Sequence, residues 1–150
     1  MIYILVSLLV LAADQLIKQY IVTHLKEGEN RYCLHGHLRL TRYHNTGAVL
    51  SKLSGHVNAI RNCTAVLIGL LVWMWARMLK KEESRAALLG GSLMIGGALG
   101  NFVDRCCRKY VVDYAGIQMR FKRLSALVFN LADVILMVGG VLVSLFRKSE

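Results

Sequence analysis

Long apolar runs are the feature that most limits how this chain can fold. Four of them lie at about 1–20, 59–79, 86–103 and 124–146, charged residues flank them, and the whole sequence contains no proline. A helix that spans a bilayer needs about 20 mostly apolar residues. A soluble domain would instead mix apolar and polar residues at helical or strand spacing. We therefore predict an all-α membrane protein with four transmembrane helices.

Composition narrows the class further. The chain has 150 residues, of which 55% are hydrophobic and 19% charged. This length fits one domain over residues 1–150, and the composition excludes disordered, collagen-like and disulfide-scaffold proteins. The first run has no basic segment before it and no small-residue cleavage site ahead of Asp14, so we expect a retained span and not a removable signal peptide.

Positive charge predicts the orientation of the spans, because cytoplasmic loops carry an excess of Lys and Arg near the span ends. The densest group flanks the second, third and fourth runs at one end, and consists of Arg77, Lys80, Lys81, Arg85, Arg147 and Lys148. It predicts cytoplasmic N- and C-termini. The loops at 21–58 and 104–123 then face outward, and since they are basic too, charge alone leaves the inverted orientation open.

The first outer loop alternates polar and apolar residues. Over 31–41 this alternation predicts an amphipathic strand, with one side formed by Tyr32, Leu34, Leu38 and Leu40. A second strand is predicted from Arg42 toward Leu53. Together they would form a small sheet over about 31–53, with the leucine side against the membrane. The segment 110–123 is predicted to be a short strand or a loop.

Ionisable groups inside membrane spans are costly and are therefore functional candidates. Three groups stand out, on the first, third and fourth spans: Asp14 with Lys18; Asn101 with Asp104 and Arg105; and Asn130 with Asp133. At about 1.5 Å per residue, Asp133 is expected about 14 Å inside its span. Because consecutive spans alternate direction, all three groups should converge on one membrane face.

Spacing adds to this convergence. Asp14 with Lys18, and Asn130 with Asp133, are separated by four and three residues, which predicts that each pair shares a helix face. Glycines of the third span, at 90, 91, 96, 97 and 100, would let the helices pack closely.

Simpler explanations remain open for part of this set. Asp14 and Lys18 can be a self-paired couple at a helix end, and Asp104 with Arg105 can mark the membrane interface. Asp133 has no Lys or Arg three or four residues away, so it needs a partner from elsewhere in the bundle.

Asp113 taken alone is an ordinary loop acid. Its interest depends on whether it reaches Asp133, because two carboxylates within a few ångströms cannot both ionise. One then keeps a proton, and the pair can act as general base and general acid. Such a pair hydrolyses amide bonds without a metal or a covalent intermediate.

Other chemistries fit less well. The four cysteines lack C-x-x-C spacing, although Cys33, His35 and His37 could place three metal ligands on one strand face. All five histidines fall between 24 and 56, away from the acids, which argues against a Ser-His-Asp site.

A channel or proton-coupled carrier would need a polar path through both leaflets, whereas the cytoplasmic half of each span is apolar. The net charge of +10 suits anionic lipid headgroups, and without a nucleic-acid-binding motif we expect no nucleic-acid partner.

Five ordered motifs make nearly the whole chain resemble the lipoprotein signal peptidase, or signal peptidase II, family of bacterial membrane aspartic peptidases. The motifs read Asp14-Gln15-x-x-Lys18, Asn45-Thr46-Gly47-Ala48, Gly96-Gly97-Ala98-Leu99-Gly100-Asn101-Phe102-Val103-Asp104-Arg105, Val111-Val112-Asp113-Tyr114 and Phe129-Asn130-Leu131-Ala132-Asp133. The chain departs from the family at Val49-Leu50-Ser51, where Ala-Phe-Gly is usual, and at Tyr114, where phenylalanine is usual. These departures leave Asp113 and Asp133 unchanged. What they affect is the small sheet of the outer loop or the pocket on the lipid side.

The resemblance implies a four-helix bundle with an extracytoplasmic β-cradle at about 31–53 and a catalytic dyad of Asp113 and Asp133. Asp104 is the rival for the second catalytic position, and Asp113 is preferred because Asp104 has Arg105 beside it as a charge partner. The other implied site residues bind substrate or support the site: Asn45, Gly47, Asn101, Arg105 and Asn130 for binding, with Asp14, Lys18 and Asp104 in support.

The implied activity is that of an endopeptidase that removes the signal peptide from diacylglyceryl-modified prolipoproteins and cuts before the lipidated cysteine. The implied place is the bacterial cytoplasmic (inner) membrane, with the active site toward the extracytoplasmic leaflet. The enzyme is expected to act as a monomer among membrane lipids, without a metal or cofactor. The alternative is a catalytically silent paralogue that binds lipid or signal peptides.

Overall fold

The computed structural model describes residues 1–47, 57–118 and 127–148. Within these ranges the chain forms four α-helices and a four-stranded antiparallel sheet. The helices are α1 Ile2–His24, α2 Val57–Lys80, α3 Arg85–Cys107 and α4 Leu131–Phe146. The strands are β1 Asn30–Cys33, β2 Leu38–Asn45, β3 Val111–Ile117 and β4 Val128–Phe129.

The first three helices are each long and apolar enough to cross a membrane, and α4 is a shorter apolar helix of 16 residues. Their outer faces present large apolar side chains, such as Leu9 on α1 and Leu145 on α4, which are 69% and 71% exposed. Such surfaces suit contact with lipid and not with water. The predicted number of four helices is confirmed, and α1, α2 and α3 extend beyond the predicted limits.

The fourth helix begins later than predicted, at Leu131 instead of near 124. Its start is fixed by a capping box, in which the Asn130 side chain accepts from the Asp133 N–H and the Asp133 side chain accepts from the Asn130 N–H. The residues just before it form β4 and pair with β3; positions 124–126 lie outside the described residues. The predicted depth of Asp133 is therefore wrong, and so is the shared helix face, because Asn130 precedes the helix and Asp133 lies in its first turn.

The α3 helix lies at the centre of the bundle and packs against α1, α2 and α4. A Cβ atom added at Gly97 would lie 2.7 Å from the Ala132 carbonyl oxygen of α4, and one added at Gly96 would lie 2.7 Å from the Ser7 carbonyl oxygen of α1. Gly90 meets the α4 backbone in the same way, also at 2.7 Å. The predicted role of these glycines in close helix packing is confirmed.

The sheet runs in the order β1-β2-β3-β4. β2 and β3 pair from Leu38 opposite Ile117 to Asn45 opposite Val111, and this register places Tyr43 opposite Asp113. The sheet packs on the end of α1 through a small apolar cluster, formed by Ile21, Leu25, Val112 and Tyr114. This contact places the middle of β3 at the end of the helix bundle.

The single strand predicted over 31–41 is wrong. A turn at Leu34–Gly36 separates β1 from β2, and its residues Leu34 and His35 have φ angles of 51° and 56°, in the left-handed region that ends a strand. Leu34 lies in this turn and not in a strand, so the predicted leucine side does not continue through it. For the same reason Cys33, His35 and His37 do not share a strand face.

The remainder of the predicted cradle is partly present. β2 continues past Arg42, where the second strand was predicted to begin, and ends at Asn45. β3 falls within the segment 110–123, for which a short strand was one of two predictions. Positions 48–53 and 119–123, including the Val49-Leu50-Ser51 departure, lie outside the described residues.

Candidate active site

Asp113 lies in β3 and is only 2% exposed. Its carboxylate accepts two side-chain amide hydrogen bonds, from Asn45 Nδ2 to Oδ2 over 2.9 Å and from Asn130 Nδ2 to Oδ1 over 2.6 Å. β2 supplies the first donor because Asn45 is its last residue, and the N-cap of α4 supplies the second. Three separate elements therefore fix this one carboxyl group.

Asp133 lies in the first turn of α4, where the helix dipole favours a negative charge. Its Oδ1 accepts from Asn101 Nδ2 over 2.8 Å, and its Oδ2 accepts from the Asn130 backbone N–H over 3.1 Å. Asn130 thus contacts both carboxylates, through its side chain to Asp113 and through its backbone to Asp133. The structure brings the two predicted dyad residues into one hydrogen-bonded group.

A charged triad lies behind this group, and all three of its side chains are fully buried. The Lys18 ammonium is 2.8 Å from Asp14 Oδ2 and 3.0 Å from Asp104 Oδ2. It also donates to Asn101 Oδ1 over 2.9 Å. The predicted self-pair of Asp14 and Lys18 is present, but it is only part of a larger network that reaches the residues around Asp133.

The two acids of the triad also hold the backbone beside each dyad residue. Asp104 Oδ2 accepts from the Val112 N–H over 3.1 Å, immediately before Asp113. Asp14 Oδ1 accepts from the Ala132 N–H over 3.1 Å, immediately before Asp133. The triad therefore sets the positions of β3 and α4 relative to each other.

The predicted charge partner of Asp104 is wrong. Asp104 pairs with Arg108, one helical turn further on, and with Lys18. Arg105 instead donates to the Asn101 carbonyl oxygen over 3.1 Å. Its charge interacts more strongly with Asp113 than with Asp133 or Asp104. Arg105 is therefore part of the dyad's surroundings.

Two contributors were missed by reasoning from the sequence. Arg108 also donates to Gln15 Oε1 over 2.9 Å, and Gln15 Nε2 donates to the Gly100 carbonyl oxygen over 3.0 Å. Tyr114 accepts at its hydroxyl from the Leu131 N–H over 3.0 Å, which ties β3 to the start of α4. The spacing of four between Asp104 and Arg108 was the available signal for the first of these.

Gly47 lies at the edge of the site. Its N–H donates to Asn45 Oδ1 over 3.1 Å. The Asn45 amide therefore has its oxygen engaged by the backbone and its nitrogen directed to Asp113. This is the described end of the Asn45 motif, since Ala48 lies outside the described residues.

Burial is the main cause of the pKa shifts of Asp113 and Tyr114. Burial and the neighbouring charge of Asp133 raise the pKa of Asp113 to about 6, against the hydrogen bonds from Asn45 and Asn130, which lower it. Burial likewise raises the pKa of Tyr114 to about 12. Among the described residues, no three His, Cys, Asp or Glu side chains are placed to share a metal ion.

Comparison with known proteins gives consistent matches over almost the whole chain. The Signal peptidase (SPase) II family model matches residues 6–147. A lipoprotein signal peptidase of Listeria welshimeri is 34% identical over 146 residues, which are 97% of this chain and 92% of that relative. One of Lactobacillus johnsonii is 35% identical over 144 residues, which are 96% of this chain and 90% of that relative.

Two solved structures of bacterial membrane enzymes, determined by the in meso method, share the fold. The one at 2.3 Å resolution has a TM-score of 0.82 and 30% identity, and the match covers 94% of this chain and 84% of that one. The one at 1.9 Å resolution has a TM-score of 0.82 and 29% identity, and covers 98% of this chain and 94% of that one.

Fold and site together define a membrane-embedded helical protein with two hydrogen-bonded carboxyl groups at one end of its bundle. The family match spans most of the chain, and the relatives span it at 34% and 35% identity. The chain belongs to the signal peptidase II family, and is thus a protease of the membrane.

Proposed function

We propose that this protein is an aspartic endopeptidase that removes signal peptides from prolipoproteins, with Asp113 and Asp133 as its catalytic dyad. The observation that carries the proposal is the hydrogen-bonded group in which Asn130 contacts both carboxyl groups. The raised pKa of Asp113, about 6, adds a chemical reason. One carboxyl group that holds a proton beside one that is ionised is the arrangement that general acid–base hydrolysis needs.

In the proposed reaction, the Asp133 carboxylate takes a proton from a water molecule. The oxygen of that water attacks the scissile carbonyl carbon at the same time. The protonated Asp113 donates a hydrogen bond to the carbonyl oxygen, which gains the negative charge. Breakdown of the tetrahedral intermediate releases the amine, which takes up a proton from the dyad, and leaves a carboxyl terminus on the signal peptide. The water is consumed, and the dyad returns to one proton.

The neighbouring residues bind and orient the substrate in this proposal. Asn45 and Asn130 hold the Asp113 carboxyl group, and Asn101 holds Asp133. Arg105, which is half-buried beside both, is placed to hold a backbone carbonyl of the substrate. Gly47 orients Asn45 through its N–H. Preorganised donors of this kind stabilise charge that develops in the transition state.

Asp14, Lys18 and Asp104 have a supporting role. They are fully buried, their charges are engaged with one another, and they hold the backbone next to the dyad. An acid whose carboxylate already accepts from Lys18, Arg108 and the Val112 N–H is poorly placed to exchange protons with water. This favours Asp113 over Asp104 as the second catalytic residue.

The substrate proposed from the family and from the names of its relatives is a prolipoprotein signal peptide whose cysteine carries a diacylglyceryl group, cut just before that cysteine. A site at the depth of one leaflet suits a scissile bond that acyl chains anchor in that leaflet. We further propose the bacterial cytoplasmic (inner) membrane, cytoplasmic termini, a site toward the extracytoplasmic leaflet, and a monomer that needs no cofactor and contacts membrane lipids.

Cleavage of a diacylglyceryl-modified prolipoprotein by the purified protein in detergent tests the proposal. We expect the wild type to cleave, Asp113→Asn and Asp133→Asn to lose cleavage, and Asp104→Asn to keep residual activity. Thermal unfolding of each variant separates loss of chemistry from loss of fold. A folded wild type that binds the substrate and never cleaves it would instead favour the silent-paralogue alternative.

A further inference from the structure

A groove lies between α2 and α4, toward the end of the bundle opposite the dyad. Its inner part is a cavity of about 160 Å³ with α3 as its floor. Apolar side chains and glycines dominate the lining, which includes Leu71, Trp75, Gly91, Met94, Gly140 and Val143. This part of the groove offers no charged side chain to an occupant.

A second cavity, of about 210 Å³, adjoins the first, and Met74 and Met78 line both of them. The lining of this second cavity is basic, since it includes Arg77, Lys81 and Arg147. The Arg77 guanidinium lies 5.2 Å from the centre of the Trp73 ring, which is a cation–π distance. We call this second cavity the mouth.

Among the described residues, one acid lines the mouth, and the protein already engages it. Glu83 is only 9% exposed, accepts from the Lys148 N–H over 2.8 Å, and lies 3.9 Å from Arg147 Nε. The described part of the lining has three cationic side chains and one carboxylate, so its formal charge is positive. An anionic group would complement it.

The groove stays open because Gly140 of α4 leaves its space unfilled. A Cβ atom added there would meet nothing within 4 Å, whereas one added at Gly139 would lie 2.6 Å from the Gly90 carbonyl oxygen. The opposite wall is fixed, because the Trp75 indole N–H donates to the Leu88 carbonyl oxygen over 3.0 Å. The space is therefore framed by packed backbone and a held ring.

We propose that this groove binds one anionic phospholipid, with an acyl chain in the inner cavity and the phosphate at the mouth. From Leu71 to Met78 the α2 wall runs about 10 Å along its axis, a length of apolar surface suited to part of an acyl chain. A helix with its side chains is about 10–12 Å wide and too broad for a cavity of about 160 Å³. Tryptophan and arginine or lysine together are typical of the headgroup level of a membrane.

Tryptophan fluorescence offers a test on the unmodified protein, because both tryptophans of the chain line the groove or its mouth. Delipidated protein in detergent is titrated with phosphatidylglycerol carrying brominated acyl chains, which quench fluorescence on contact. We expect saturable quenching with one lipid per protein, and much weaker quenching by brominated phosphatidylcholine. Equal quenching by the two lipids, or quenching that never saturates, would overturn the proposal.

A pair of glycine variants tests the acyl part of the site. Gly140→Leu fills the groove and should abolish saturable quenching, while Gly69→Leu makes the same change on α2, also into open space, and should leave it intact. Melting temperatures of both variants check that the fold persists. If Gly140→Leu unfolds the protein, the wild-type titration still decides the question. Retained binding in a folded Gly140→Leu variant would exclude this groove.

A pair of charge variants tests the mouth. The double variant Arg77→Gln with Lys81→Gln should weaken phosphatidylglycerol binding about 30-fold, given the usual attraction of two basic side chains for an anionic membrane lipid. Lys26→Gln with Arg61→Gln removes the same charge elsewhere and should have little effect. Equal losses in both would mean general charge attraction and no site.

A lipid-independent dimer in native mass spectrometry would identify a second copy as the occupant and overturn the lipid proposal.

Discussion

The Lys18 ammonium donates a hydrogen bond to the amide oxygen of Asn101 over 2.9 Å. This contact decides which way the Asn101 amide faces, because an ammonium group donates and cannot accept. The amide nitrogen is then directed to Asp133, 2.8 Å from its Oδ1. Lys18 is itself held between Asp14 and Asp104. A fully buried ion triad therefore orients a donor to a proposed catalytic carboxylate.

Replacing Lys18 should cost much of the protein's stability. In Lys18→Met the carboxylates of Asp14 and Asp104 stay buried without their shared cation, and breaking a buried ion pair in this way costs about 3–5 kcal/mol. Denaturant or thermal unfolding in detergent measures the loss. Removing all three charges, with Asp14→Asn and Asp104→Asn added, should restore part of it. A triple variant less stable than Lys18→Met would contradict this account.

Asn130 has two tasks, and substitutions can separate them. Its side-chain oxygen caps α4, and its side-chain nitrogen donates to Asp113. Both variants lose the buried amide donor, but Asn130→Ser keeps a good cap and should be about 1 kcal/mol more stable than Asn130→Ala. Both lose the donor to Asp113, so both should cleave far more slowly. Unfolding curves and cleavage rates for the two variants check this, and full activity in Asn130→Ser would show that the donor is dispensable.

The convergence of polar residues on one end of the bundle could be predicted from the sequence, because alternating span direction and helical spacing suffice for it. The depth of Asp133 could not. An apolar run that contains Leu127, Val128 and Phe129 looks the same whether it begins a helix or forms a strand. Only pairing of β4 with β3 decides that the helix begins at Leu131.

The partner of Asp104 shows a second limit. Arg105 is its neighbour in sequence, but adjacent residues on a helix point in different directions, and the residue four positions away lies on the same face. Arg108 was the better choice on spacing alone. In the cradle, the turn at Leu34–Gly36 interrupts the polar–apolar alternation at Gly36, which was the available signal for a break. The left-handed backbone of Leu34 and His35 has no such signal in the pattern.

The pH dependence of cleavage should report Asp113. With a pKa of about 6, it holds its proton below that pH and loses it above. Because the proposed reaction needs the protonated form, kcat/KM should fall as the pH rises through about 6. The folded protein should also lose stability as the pH rises from 3.8 toward about 6, since it binds more protons than the unfolded chain in that range.

A variant can tie this pH dependence to Asp113. The hydrogen bond from Asn45 lowers the pKa of Asp113, since it favours the ionised form. Asn45→Ala should therefore move the fall in kcat/KM to higher pH, whatever it does to the maximal rate. Asn62→Ala, at an exposed asparagine of α2, serves as the matched control. A shift to lower pH in Asn45→Ala, or the same shift in the control, would exclude Asp113 as the titrating group.

Gly100 lets Asp14 reach the start of α4, and adding one methyl group there should disturb the site. A Cβ at position 100 would lie 2.5 Å from Asp14 Oδ2, so Asp14, which accepts from the Ala132 N–H, must move. We expect Gly100→Ala to lose about 1–3 kcal/mol of stability, as overpacked interiors do, and to cleave more slowly.

Gly69→Ala makes the same change in open space on α2. It should gain up to about 1 kcal/mol, because alanine favours the helix. Unfolding and cleavage measured side by side decide the matter, and equal behaviour of the two variants would mean that the contact with Asp14 does not hold the site.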